Sequence, residues 1–231
     1  MIRGVLAGLV LWAAPAEACR LALVLAIDVS SSVDAQEDAL QRQGLAAALV
    51  ADDVVAAFFA SPDPVALTIF EWSGRFNQAS LVPWTMIEGP DDLTAVSKRV
   101  AASRRSHDDF PTALGYALGH AAGLLQRGPE CLFSTVDVAG DGVSNEGFGP
   151  AEAYAAFPFE GVTVNGLVVN AADFEGEVDL IPFFERDVIR GPGAFVEIAA
   201  NFADYEAAMR RKLIRELGTQ MLGGEATGTA G

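Results

Sequence analysis

Apolar residues recur along this chain in two rhythms. Leu21 to Ile27 (LALVLAI), Val65 to Trp72 (VALTIFEW), Leu132 to Ala139 and Val162 to Val169 (VTVNGLVV) are apolar-rich runs of strand length. Such runs read as strands buried on both faces, the habit of a parallel sheet. Shorter strands are predicted at Ser80 to Trp84 and at Phe195 to Ile198. Between the runs the spacing turns helical. A long helix starts at Asp34 and carries Leu40, Leu45, Leu49, Val50 and Val54, until Ser61-Pro62-Asp63-Pro64 breaks it. Leu93, Val96 and Val100 mark a helix over Asp91 to Ser103. Another helix runs from Thr112 to Leu125 and stops at Gly128-Pro129. Pro150 to Phe157 is a short helix, 173–189 a helix or mixed segment, and Phe202 to Leu217 a final helix. Alternating strands and helices predict an α/β fold: a doubly wound, mostly parallel central sheet flanked by helices. With 231 residues, no repeat and no long linker, one domain is expected.

The ends of the chain modify that picture. Arg3 precedes an apolar run, Gly4 to Ala14, that is too short to span a bilayer. Ala16-Glu17-Ala18 then fits a small-x-small cleavage site. Residues 1–18 therefore read as a signal peptide and 19–218 as the mature domain. The Gly-, Thr- and Ala-rich stretch 219–231 is expected to be a flexible tail. The protein is expected to be exported, to the periplasm or beyond, with no transmembrane segment. Its two cysteines, Cys19 and Cys131, both lie in the mature part. An even count in an exported chain invites a disulfide. A cysteine at the new N-terminus also raises lipidation, though Ala16-Glu17 makes a poor lipobox. The formal net charge of −16 opposes nucleic-acid binding and suits cations or basic partners. It equally serves solubility.

In a doubly wound sheet, ligands sit beyond the carboxyl ends of the strands. After the first strand comes Asp28-Val29-Ser30-Ser31-Ser32. Alternate residues there can point the same way, so Asp28, Ser30 and Ser32 form a candidate set of hard oxygen donors. Such donors suit Mg²⁺, Ca²⁺ or Mn²⁺ rather than softer metals. Helix capping by Ser32 or Asp34 is an equally natural reading of this segment. The strand ending at Ala139 runs into Gly140-Asp141-Gly142, where glycines allow a sharp turn that brings the carboxylate forward. Phe110-Pro111-Thr112 places a threonine at a helix start, again with capping as the alternative.

These three segments resemble the von Willebrand factor A-like family. Its metal-ion-dependent adhesion site has Asp-x-Ser-x-Ser after the first strand, a threonine in a second loop, and an aspartate followed by glycine after the fourth strand. The resemblance spans residues 19 to about 218 and implies a Rossmann-like fold. It implies that Asp28, Ser30, Ser32, Thr112 and Asp141 hold a divalent ion, Mg²⁺ by preference with Ca²⁺ or Mn²⁺ as alternatives. Asp109-Phe110-Pro111 departs from the Gly-Gly-Thr that many members carry, which bears on the reach of Thr112. Phe70 to Gly74 (FEWSG) is similar to the end of the family's second strand. Val136 to Asn145 (VDVAGDGVSN) resembles a bacterial group of short secreted members without assigned function. The family topology makes the first and fourth strands parallel neighbours. It thereby implies a Cys19–Cys131 disulfide at the end of the sheet opposite the metal.

The resemblance further implies that the ion keeps one position for an Asp or Glu of a protein partner. A rim would come from Trp72 to Gln78, His107 to Phe110 and Ser144 to Phe148, with Phe76, Phe110 and Phe148 as apolar contacts. Enzyme chemistry is not expected. Phosphoryl-transfer enzymes of similar topology place a second aspartate, as general acid, where Ser30 stands. No Gly-x-Ser-x-Gly elbow surrounds Ser30 or Ser32. Only His107 and His120 are available as bases, and His120 is expected to pack. A domain whose site is intact but unused is the alternative to a binding module.

Overall fold

In the computed structural model of the protein, which describes residues 19–170 and 179–225, each apolar run becomes a strand of one six-stranded sheet. The strands are β1 (Cys19–Asp28), β2 (Val65–Trp72), β3 (Gln78–Ile87), β4 (Cys131–Gly140), β5 (Val162–Val169) and β6 (Val196–Ala199). Their order is β3-β2-β1-β4-β5-β6, with only the β2–β3 pair antiparallel. The helices are α1 (Ala35–Leu49), α2 (Asp52–Phe58), α3 (Pro90–Ala102), α4 (Leu114–Arg127), α5 (Pro150–Ala156), α6 (Leu180–Phe183) and α7 (Tyr205–Glu225). The signal peptide read at 1–18 and the last residues of the expected tail, 226–231, lie outside the described residues. So does the first part of the mixed segment, through residue 178.

The continuous apolar character of β1 follows from its place at the centre. Leu21, Leu23, Leu25 and Ile27 pack in one cluster with α1, α2, α3 and α7. Val24 and Ala26 pack in the other, with α4 and residues of β2, β4 and β5. Both faces are covered, so a strand here cannot alternate with polar residues.

The structure differs from the sequence reading at three places. The long first helix divides at Val50-Ala51, where Ala51 turns to extended backbone and Asp52 and Asp53 open α2. Two acids in a first turn favour the positive end of a new helix dipole. The second edge strand is longer than Ser80 to Trp84, because it pairs along the whole of β2 from Val65↔Ile87 to Trp72↔Gln78. Pro83 is tolerated because this strand lies at the sheet edge. The last helix continues past Leu217 to Glu225. One glycine within a propagating helix costs only about 1 kcal/mol, too little to stop it at Gly218.

Cys19 and Cys131 are register partners at the starts of β1 and β4 and are joined by a disulfide with Cα atoms 4.6 Å apart. Beside them, Arg20 donates to the carbonyls of Phe58 (2.9 Å), Ala57 (3.1 Å) and Leu217 (3.2 Å), tying the start of the sheet to α2 and α7. The disulfide closes a loop of sequence separation 112. Closing so long a loop restricts the unfolded chain, so reduction is expected to lower the unfolding free energy by about 2–4 kcal/mol. Urea denaturation with and without reductant measures this as a lower midpoint and a steeper slope for the reduced chain, whose unfolded state is more open.

Candidate metal-binding site

Sheet order reverses at β1: the chain steps from β1 to β2 on one side, then returns to lay β4 on the other. The carboxyl ends of β1 and β4 are where such a reversal opens a crevice. Asp28 ends β1, and Asp141 directly follows β4. The three loops meet here through their hydroxyls. Ser30 Oγ lies 3.0 Å from Ser32 Oγ, Thr112 Oγ1 donates to Ser30 Oγ at 3.2 Å, and Ser32 Oγ donates to Asp141 Oδ1 at 2.7 Å. The Ser30 backbone N–H donates to Asp28 Oδ1 at 2.7 Å. All five residues read from the sequence thus stand in one cluster.

The capping alternatives resolve residue by residue. Asp34 caps α1, accepting from the N–H groups of Gln36 and Glu37, while Glu37 returns the bond to the Asp34 N–H. That is a capping box, and it leaves Ser32 for the cluster. Helix α4 begins at Leu114 after Ala113 with no side-chain cap. The Thr112 hydroxyl therefore serves the cluster as well.

Asp28 is buried, and its Oδ2 has no hydrogen-bond partner among the described residues. Burial, and then the nearby Asp141 carboxylate, push its carboxyl well above the usual carboxylate range. Both causes describe negative charge short of a counterion, and a cation would relieve them together. The donor set is carboxylate and hydroxyl oxygen, the chemistry of hard cations. Among the described residues no group of three or more His, Cys, Asp or Glu side chains is arranged to hold a metal. The hydroxyls are therefore what make this set fit an ion. Gly140, before Asp141, also has a steric reason. A Cβ there would stand 3.2 Å from Asp28 Oδ2, so the carboxylate would have to give way.

Two positioning residues were not recognised in the sequence. One is Arg105. In the fold its guanidinium donates to the carbonyls of Val33 (2.6 Å), Ser30 (2.7 Å) and Val29 (2.8 Å), and to its own neighbour His107 (2.7 Å). It holds the whole Asp-x-Ser-x-Ser turn from behind. A buried chain anchors that grip. Asp38 pairs with Arg42, Arg42 pairs with Glu71, and Glu71 Oε1 accepts from the Ser106 N–H at 2.7 Å. The other residue is Asn145. Its Oδ1 accepts from the Thr112 N–H and its N–H donates to the Thr112 carbonyl, both at 2.9 Å. It registers the threonine loop against the β4 loop. Asn145 lies inside the VDVAGDGVSN segment, so that motif held the signal; nothing local marks Arg105.

The rim is partly as expected. Phe76 is 88% exposed and Phe110 39%, while Phe148 is half-buried against Tyr116 with ring centroids 4.1 Å apart. Trp72, counted in the rim from the sequence, is fully buried in the core instead. It ends β2 beside Asp28, where both sheet faces are covered. His120 packs against Phe70 at 4.7 Å, and burial lowers its pKa.

The fold is that of von Willebrand factor A domains. The chain belongs to the family described as "Protein of unknown function (DUF1194)", whose profile matches residues 18–221. The same fold occurs in proximal thread matrix protein 1 from the mussel byssus, solved with a zinc-occupied MIDAS motif. That structure is 18% identical, covering 87% of this chain and 48% of its own, with a TM-score of 0.59. It occurs in a von Willebrand factor type A protein from Catenulispora acidiphila, at 16% identity, 87% and 43% coverage and a TM-score of 0.57. An aerotolerance-related membrane protein from Bacteroides fragilis is 18% identical, with 84% of this chain and 99% of that one covered and a TM-score of 0.53. This chain spans about half the length of the mussel protein. No curated protein sequence matches it.

Replacing Arg105 by alanine strips the donors from the carbonyls of the ligand loop. The change is expected to weaken cation binding roughly tenfold to a hundredfold, in line with about 1.5–3 kcal/mol for hydrogen bonds to a charged group. Calorimetric titration of the variant against wild type reads the difference, and Arg105→Lys is expected to recover only part of it because it lacks the fork of donors.

Proposed function

We propose that the protein is an exported binding module that holds a divalent cation, Mg²⁺ by preference, and presents it to an Asp or Glu of a protein partner. Asp28, Ser30, Ser32, Thr112 and Asp141 are the proposed ligands. The observation that carries this reading is the linkage of three hydroxyls and the Asp141 carboxylate in one cluster beside Asp28, whose buried Oδ2 has no hydrogen-bond partner among the described residues. Two carboxylates balance the charge of a divalent ion, and five protein oxygens leave a six-coordinate ion one position that a carboxylate oxygen from outside can fill. Exposed Phe76 and Phe110 supply apolar contact near that position. The zinc-occupied motif of the mussel protein supports metal binding on this fold. The Cys19–Cys131 disulfide supports export, since disulfides persist in oxidising compartments. Among the described residues no helix is long and apolar enough to cross a membrane. The ion belongs, in this reading, to a contact surface, and no catalytic role is assigned to it.

Titrating Mg²⁺, Ca²⁺ and Mn²⁺ into the protein by calorimetry is expected to show one site. Asp28→Ala should abolish it, and Thr112→Val, which keeps the shape and removes the hydroxyl, should weaken it about tenfold, near the 1–1.5 kcal/mol of a lost polar contact. Wild-type protein that binds none of the three ions would refute the reading. Affinity capture of partners with and without a chelator then tests the second half: a partner retained equally in both arms does not use the ion.

A further inference from the structure

Beneath α7, away from the ligand loops, the core holds three ionisable side chains with almost no exposure. Lys212 of α7 is 0% exposed, Asp137 of β4 1% and Glu216 of α7 2%. Lys212 Nζ stands 2.8 Å from Asp137 Oδ1 and 2.6 Å from Glu216 Oε1. Asn165 of β5, the register partner of Asp137, donates from Nδ2 to Glu216 Oε1 at 2.7 Å and accepts at Oδ1 from the Phe195 N–H at 3.1 Å. The Phe195 ring lies 5.0 Å from Lys212 Nζ. Asp137 Oδ2, Glu216 Oε2 and the Tyr205 hydroxyl have no hydrogen-bond partner among the described residues.

As an ion cluster this is poorly balanced. One cation faces two carboxylates, and the carboxylate of Asp137 lacks the donors that make a buried charge tolerable. Burial and the neighbouring Glu216 push the Asp137 carboxyl up to about 7. Burial also works against charge on Lys212, although Asp137 and Glu216 outweigh it and hold its pKa up. Moving one proton from Lys212 to Asp137 leaves an amine against a carboxylic acid in a dry, aromatic-walled site. The amine so produced, and not the ammonium that the two carboxylates hold at rest, is the nucleophile.

We propose that Lys212 and Asp137 become joined by an intramolecular amide bond that the folded chain forms itself, with Glu216 as the catalytic proton shuttle. Glu216 takes a proton from the Lys212 ammonium and passes it to the Asp137 carboxylate. The Nζ lone pair attacks Asp137 Cγ, forming the C–N bond. Glu216 then takes a second proton from Nζ and delivers it to the departing hydroxyl, so the C–O bond breaks and one water leaves. Nothing is oxidised or reduced, and Glu216 ends as the carboxylate it was. One ammonium and one carboxylate become a neutral amide, and Glu216 keeps the Asn165 amide as its hydrogen-bond donor. Asn165 acts as a positioning residue through Glu216. The bond would staple α7 covalently to the sheet, giving the exported domain a second cross-link beside the disulfide. The inference is independent of metal binding.

Protease digestion and mass spectrometry of the reduced, denatured full chain test it. The expected product is a peptide containing Asp137 linked to one containing Lys212, at the summed mass less one water, with no tryptic cleavage after Lys212. Glu216→Gln, with folding checked by circular dichroism, is expected to yield the two peptides unlinked and at full mass. Wild-type protein that releases an unmodified Lys212 peptide of full sequence mass overturns the proposal, whatever the variants do. A link that forms unchanged in Glu216→Gln overturns the assigned role of Glu216.

Discussion

From Cys19↔Cys131 to Ile27↔Ala139, β1 and β4 run side by side in parallel register, and that ladder sets the spacing of the two carboxylates at the candidate site. Parallel pairing puts the carboxyl ends of both strands at one pole, so Asp28 and Asp141 face the same crevice. It puts both strand starts at the other pole, where the disulfide joins register partners. A slip of one residue would turn Asp28 to the other face and separate the cysteines. The pairing is held by burial on both faces of β1, through two separate apolar clusters.

Around that frame the ligand loops are held by polar contacts rather than apolar ones. The Asp-x-Ser-x-Ser turn leans on the Arg105 guanidinium, which in turn leans on the buried Asp38–Arg42–Glu71 chain through Ser106. Gln41 of α1 adds a bond to the Asp28 carbonyl at 2.8 Å. The threonine loop is fixed to the β4 loop by Asn145 and by close approach at Gly115, where a Cβ would stand 2.2 Å from the Phe148 carbonyl oxygen. Preorganised oxygens lower the entropy lost when an ion binds. The second polar cluster, Asp137, Lys212 and Glu216, lies on the α7 face of the same sheet and is equally dry. The core thus uses ionisable groups twice, behind the ligand loops and beneath α7.

Strand and helix identity were legible along the chain because a central strand covered on both faces must be apolar throughout. The five candidate ligands were legible for a different reason. Each stands just past a strand or before a helix, with glycine or a second hydroxyl nearby. Residue types left one matter open, since Asp-x-Ser-x-Ser by itself also fits a helix cap. Arg105 and the placement of Trp72 in the core were not legible. Each depends on contacts with residues distant in sequence, and local spacing carries no trace of those.

Residue order alone established an α/β alternation, the strand ends where hard oxygens gather, and two cysteines spaced alike from their aspartates. These are local or periodic properties, written by which faces must avoid water. Tertiary structure decided which hydroxyls serve the cluster and which residues cap helices, because Asp34 and Ser32 compete for one role until the loops are placed. It also decided that Lys212 is buried against two carboxylates while its neighbours Arg210 and Arg211 pair at the surface. A helix rotates each residue by a fixed angle, but only the packing of α7 on the sheet determines which of the three points inward.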